Sequence, residues 1–209
     1  MQDYLKDVRT LCDEYGIVLI FDEVKTGFRV ARGGAQELYG VTPDLCTFAK
    51  AMGNGYPIAA LCGKRSFMSA ISGFDGVLHG GTFNAQPVAM AALVATQKAL
   101  TPEHYERSSV HGQRLQDGIR TILREAGIKA QVAGFPLMFH VAFGLDAPAR
   151  NYRDVARADK AAYSRFAHEL LKRGVRVLER GAWFVSSEHD AGVVDATLEA
   201  VRGVAREVA

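Results

Sequence analysis

An acidic residue and a lysine that each follow apolar residues, with a paired-glycine loop further on, are a set suited to joining an amine to a carbonyl. Lys50 comes directly after Thr47-Phe48-Ala49 and before Ala51-Met52-Gly53-Asn54-Gly55. Its stem is therefore expected beside buried backbone, where glycines permit close approach. A partly desolvated lysine has a lowered pKa, and its free amine can form a Schiff base. Asp22 closes the apolar run at 17–21 and reads in three ways. It can cap a loop after a strand, bind a cofactor, or act as the Walker B acid of a P-loop ATPase. The last reading needs a Gly-rich loop ending Gly-Lys-Ser/Thr. The nearest candidate, Gly63-Lys64-Arg65, lacks the hydroxyl residue and the upstream glycine. Gly80-Gly81-Thr82 is either a plain turn or a grip for a phosphate near the start of the following helix. Ligands of open α/β sheets bind at the carboxyl ends of parallel strands. Asp22, Lys50 and the glycines before Thr82 all fall at or just after such ends.

Other chemistries lack residues to carry them. The six histidines form no pair with metal-ligand spacing, and there is no Gly-x-Ser-x-Gly nucleophile elbow. Trp183-Phe184 reads as core packing and Arg180 as an exposed charge. The chain of 209 residues is 48% hydrophobic and 23% charged with a formal charge of +2, an ordinary globular composition. Lysines and arginines are mixed with acids rather than gathered into a stripe, which argues against nucleic acid. Cys12, Cys46 and Cys62 are an odd number without metal spacing and fit a reducing, cytoplasmic compartment. No apolar run is long enough to span a bilayer, and the N-terminus does not read as a signal peptide.

The elements that must position these residues follow from periodicity. Tyr4, Leu5, Val8, Leu11, Cys12 and Tyr15 share a helical face over 3–15, which Gly16 ends. The run at 17–21 suits a strand buried on both faces of a parallel sheet. Gly27, Gly33 and Gly34 mark a loop, and strands are expected at 44–48 and 58–62. Pro87 opens an Ala-rich helix reaching about residue 100. Beyond Thr101-Pro102 come a helix at 103–125, strands at 130–133 and 137–143, and a helix at 155–172. Short strands at 175–178 and 183–186 and a last helix from Ala191 complete the chain. The first half thus reads as α/β with buried strands, the second as a smaller α+β unit.

Three stretches taken together resemble class-III aminotransferases, members of the fold-type I pyridoxal-phosphate (PLP) enzymes. They are Ile20-Phe21-Asp22-Glu23-Val24-Lys25-Thr26-Gly27-Phe28-Arg29, Phe48-Ala49-Lys50-Ala51-Met52-Gly53-Asn54-Gly55-Tyr56-Pro57, and Gly81-Thr82-Phe83-Asn84-Ala85-Gln86-Pro87-Val88-Ala89-Met90-Ala91-Ala92. Their order and separation match the family. Trp183-Phe184-Val185-Ser186-Ser187-Glu188-His189 is similar to the glutamate-1-semialdehyde aminomutase-like subgroup. Lys25 stands where many members have glutamine, and Gln86 where asparagine is commoner.

The resemblance implies an α/β fold: the C-terminal part of a PLP-binding large domain, a mostly parallel sheet flanked by helices, over 1–104. A small α+β domain follows over 105–209. It implies PLP as cofactor and an amino group moved between small amino donors and carbonyl acceptors. Lys50 would hold the cofactor as a Schiff base and shuttle a proton. Asp22 would pair with the pyridine nitrogen, and Val24 would pack on the ring. Gly81 and Thr82 would bind the phosphate, Thr82 that of the neighbouring subunit in a homodimer with shared active sites. Family members are about twice as long, and the segment that normally precedes the Asp22 strand is missing here. A fragment, inactive without that N-terminal half, is the alternative expectation, and a P-loop ATPase fragment the remote one.

Overall fold

The computed structural model describes residues 3–71 and 76–208, which form two compact units, Met1–Thr101 and Pro102–Ala209. In the first unit, α1 (Tyr4–Glu14) ends where Gly16 takes a left-handed φ of 63°. That turn lets the Ile17 N–H reach the Cys12 carbonyl at 2.8 Å. Next come β1 (Ile20–Glu23), α2 (Gly34–Tyr39), β2 (Leu45–Phe48), a 3₁₀ turn at Lys50–Met52, β3 (Ala60–Gly63), α3 (Arg65–Met68) and α4 (Pro87–Ala99). The sheet order is β1-β2-β3. β1 runs parallel to β2, pairing Ile20 with Leu45 and Asp22 with Thr47, whereas β3 returns antiparallel to β2.

One buried carboxylate joins these pieces. Asp44, 5% exposed, accepts from Lys64 Nζ at 2.6 Å, the Leu19 N–H at 2.7 Å and Arg9 Nη1 at 2.9 Å. It thereby ties the residue before β2 to α1, the lead into β1 and the residue after β3. The Lys64 ammonium, the Leu19 N–H and the Arg9 guanidinium hold its carboxyl well below the usual range.

The apolar run at 17–21 does not form the strand expected of it. The strand is displaced to Ile20–Glu23 and takes both carboxylates into the sheet. Nor is it buried on both faces. Phe21 packs with Val41 and Cys46, while Ile17, Val18 and Ile20 are 56%, 42% and 57% exposed. Among the described residues β1 pairs with β2 alone, so the unit covers the Phe21 face and leaves the Ile20 face open. α2 and α3 are helices that the glycine and charge pattern did not announce.

In the second unit α5 (Pro102–Glu125) is followed by the hairpin β4 (Ala130–Phe135) and β5 (Met138–Phe143). Then come α6 (Tyr152–Ala156), α7 (Lys160–Lys172), β6 (Ala182–Phe184) and α8 (Ala191–Val208). α5 and α7 pack on the antiparallel sheet β4-β5-β6, and α8 packs on α5 and α7. Its core holds Ile119, Phe166, Leu170, Val141, Val201 and Val204, each without exposed surface. The single helix expected at 155–172 is two, because Asp159 turns its carboxylate onto the Ala162 N–H at 2.8 Å and starts α7 afresh. Residues 175–178 form no strand; the Leu178 N–H bonds the Ala182 carbonyl at 3.2 Å across a turn at Gly181. Trp183 is core as expected, stacked on Phe139 and donating from Nε1 to the Tyr163 hydroxyl at 2.8 Å. Phe184, on the opposite side of the strand, is 39% exposed. No helix among the described residues is long and apolar enough to cross a membrane.

Two outcomes follow from these contacts. A Cβ at Gly112 of α5 would strike the Pro136 carbonyl in the β4–β5 turn. Gly112→Ala is therefore expected to lower the unfolding free energy by about 1–3 kcal/mol, read from chemical denaturation; an unchanged midpoint would refute the contact. Asp44 contributes stability that is fully present above its unfolded pKa of about 3.9. That contribution is lost as pH falls through the depressed folded value. Wild type should thus lose stability below about pH 4 more steeply than Asp44→Asn, which starts lower and titrates less; parallel acid limbs would contradict this.

Candidate active site

Alternation along β1 sends Asp22 and Glu23 to opposite sides of the sheet. Asp22 is exposed and Glu23, 1% exposed, is buried. Asp22 Oδ1 accepts the Val24 N–H at 3.0 Å, and the Thr47 hydroxyl approaches it at 3.5 Å. This orients the carboxylate at the carboxyl end of β1 through its own loop and the neighbouring parallel strand.

Glu23 does different work, which the sequence reading missed. Its Oε2 accepts from Thr26 Oγ1 at 2.6 Å and the Ala35 N–H at 2.8 Å; its Oε1 accepts the Gln36 N–H at 2.9 Å. A buried carboxylate thus caps α2 from outside the helix, where free N–H groups and the helix dipole favour negative charge. Gly34, at φ 75°, passes so close that a Cβ would strike the Glu23 carboxyl group. The signal available was the period of two in the strand, which separates any adjacent pair of acids.

Lys50, one residue after β2 ends, begins the 3₁₀ turn with φ 45°, an uncommon left-handed backbone for a residue with a Cβ. Its side chain is exposed rather than partly buried as expected. The turn directs Met52, 4% exposed, inward and leaves its first residue facing out. Gly81 and Thr82 are exposed, in a turn where the Asn84 N–H bonds the Gly81 carbonyl at 3.0 Å. They do not sit on the helix start: α4 begins at Pro87, and the Gln86 side chain caps it by accepting the Ala89 N–H at 2.7 Å.

A cavity of about 840 Å³ opens in this unit, lined by Val24, Thr47, Met52, Phe83, Asn84 and Gln86 among others. Its size suits a small organic ligand. Val24 is the residue singled out from sequence that lines it; Thr47, His79 and Asn84 supply polar groups that sequence reasoning did not mark. Arg180, in the second unit, is exposed, and its carbonyl accepts from His140 Nε2 at 2.8 Å. No group of three or more His, Cys, Asp or Glu side chains among the described residues could hold a metal ion.

With this geometry in hand, comparison with known proteins places the chain. The family model for class-III aminotransferases matches residues 1–201, and the chain belongs to that family. A glutamate-1-semialdehyde 2,1-aminomutase of Desulfatibacillum aliphaticivorans is 41% identical over 99% of this chain and 49% of its own length. Among solved structures, an omega-transaminase from Sphaerobacter thermophilus matches with a TM-score of 0.88 at 32% identity, over 100% of this chain and 48% of that one. A transaminase with PLP bound gives a TM-score of 0.88 at 31% identity, over 99% and 48%. The fold is thus the C-terminal part of a fold-type I transferase, and the β1 acids belong to that class rather than to a P-loop ATPase. The chain spans about half the length of the curated relatives it matches.

Glu23→Ala would strip three donors of their buried partner and is expected to lower stability by roughly 2–4 kcal/mol. Hydrogen exchange at Ala35 and Gln36 should accelerate with it. Unchanged protection at both amides would show that Glu23 does not cap α2.

Proposed function

We propose that this chain carries the lysine and acid of a PLP-dependent aminotransferase or aminomutase that moves an amino group to or from a small carbonyl compound. The observation that carries the reading is the parallel register of β1 and β2. It pairs Asp22 with Thr47, with Lys50 just beyond, so an acid and an amine leave neighbouring strand ends in the same direction. The donor set fits PLP. An exposed carboxylate oriented by the Val24 N–H suits a pyridinium nitrogen, and an exposed primary amine suits an aldehyde.

When bound, PLP supplies an electron sink for charge developing on the substrate's α-carbon. Lys50 would hold the aldehyde through its Nζ, and its amine would take and return the substrate's α-proton. Asp22 would keep the ring nitrogen protonated. Val24, in the cavity wall, would pack on the ring, while the Gly81 N–H and the Thr82 hydroxyl would hold phosphate. Thr82 is exposed, and its reading as a contact to the phosphate of a second subunit goes with a homodimer with shared sites. Residues 1–104 then belong to the cofactor-binding domain and 105–209 to the small one. Three free cysteines support a reducing, cytoplasmic setting.

A second reading rests on a specific observation. The chain spans about half the length of its relatives and leaves Ile17, Val18 and Ile20 exposed on β1 and its lead-in; on this reading activity needs the other half of the large domain. Mixing the chain with PLP and recording the visible spectrum before and after borohydride separates the two. A trapped adduct on Lys50, absent from Lys50→Ala, supports a working cofactor site. Asp22→Asn should then weaken PLP retention roughly 10–100-fold, the ~1.5–3 kcal/mol of a hydrogen bond to a charged group. No Lys50-dependent adduct would overturn the first reading for the isolated chain and leave the second.

A further inference from the structure

β2 and β3 carry two of the three cysteines directly opposite each other, since the antiparallel register pairs Cys46 with Cys62. The Lys64 N–H bonds the Asp44 carbonyl at 2.9 Å, which makes 44/64 a hydrogen-bonded pair. Alternation along the ladder makes Cys46/Cys62 one as well, with Cα atoms about 5.5 Å apart and side chains on the same face. That separation lies within the Cα range of disulfides, and closing the bond draws together Cβ atoms that stand about 5.5 Å apart at a hydrogen-bonded pair. Both thiols are free; Cys46 is 6% exposed, whereas Cys62 is open to solvent. They line a common cavity of about 570 Å³ together with Arg32, Glu37 and Lys64. Arg32 of that wall suits an acidic thiol compound such as glutathione.

We propose that Cys46 and Cys62 form an oxidisable cross-strand dithiol, a modification site that accepts small-molecule disulfides and closes to an intramolecular disulfide. The exchange has two steps. Cys62, as thiolate, attacks one sulfur of the small disulfide; a mixed disulfide forms, and one thiolate leaves and takes up a proton. Cys46, having lost its proton, attacks the Cys62 sulfur and displaces the second small thiolate, which is protonated in turn. The protein's two thiols are oxidised, one small disulfide is reduced to two thiols, and no other oxidant is needed. Burial and the neighbouring Cys62 push the Cys46 thiol up, with the Gln36 side chain opposing, so Cys46 resolves the mixed disulfide rather than initiating it. The bridge would close the loop leading from β2 to β3, which is the loop that carries Lys50. Cys12, buried in α1 and outside this pair, is an internal control.

The test is incubation of the full chain with oxidised glutathione, alkylation of remaining thiols, and peptide mapping by mass spectrometry beside thiol titration. The expected result is a Cys46–Cys62 linked peptide, with titratable thiols falling from three to one and returning on reduction. Cys46→Ser should stop at a stable mixed disulfide on Cys62, and Cys62→Ser should react far more slowly at Cys46. A wild-type chain that halts at glutathionylated Cys62, links to a second chain, or keeps all three thiols would overturn the proposal. None of these outcomes depends on PLP, so the proposal stands or falls apart from the functional reading.

Discussion

The first unit is organised around the carboxylate of Asp44. One oxygen takes Lys64, and the other takes Arg9 and the Leu19 N–H. A buried carboxylate is tolerable only when it is paired and hydrogen-bonded, and each of its donors comes from a different segment. Satisfying that one group therefore fixes where α1 lies, where β1 starts relative to β2, and where β3 ends. The register that pairs Asp22 with Thr47 is a consequence. Slide β1 by one residue and Asp22 would exchange faces with Glu23.

That exchange matters because the two acids are not equivalent. Glu23 meets three donors inside the unit, and its place beneath α2 is closed by Gly34. Asp22 is left to the solvent side with a single backbone donor and a distant hydroxyl. One adjacent pair thus supplies both an anchor for the loop and a carboxylate free of structural duty, divided by nothing more than the pleat of the strand.

Much of this was legible in the chain. Pro87 and the apolar periodicity after it marked α4 to within a residue, Gly16 marked the end of α1, and the Asp22, Lys50 and Thr82 stretches gave the family. What escaped depended on contacts distant in sequence. Nothing local says that Glu23 caps a helix beginning eleven residues later, so α2 read as a glycine loop. Apolar content at 17–21 gave the right element at the wrong residues, because strand limits are set by pairing with β2 rather than by hydropathy. Asp159 carries a legible capping signal, yet the apolar periodicity runs through it and masked the break between α6 and α7. The exposure of Lys50 could not be read either: it depends on which member of a three-residue turn faces the core.

The backbone at Lys50 has a bearing on how this position tolerates change. A residue with a Cβ at φ 45° is disfavoured by about 1–2 kcal/mol relative to ordinary helical geometry, a penalty glycine escapes and asparagine lessens. Selection for thermal robustness alone would therefore drift toward glycine here. Lysine stands here against that gradient, and libraries screened only for heat tolerance would discard the amine first while gaining stability.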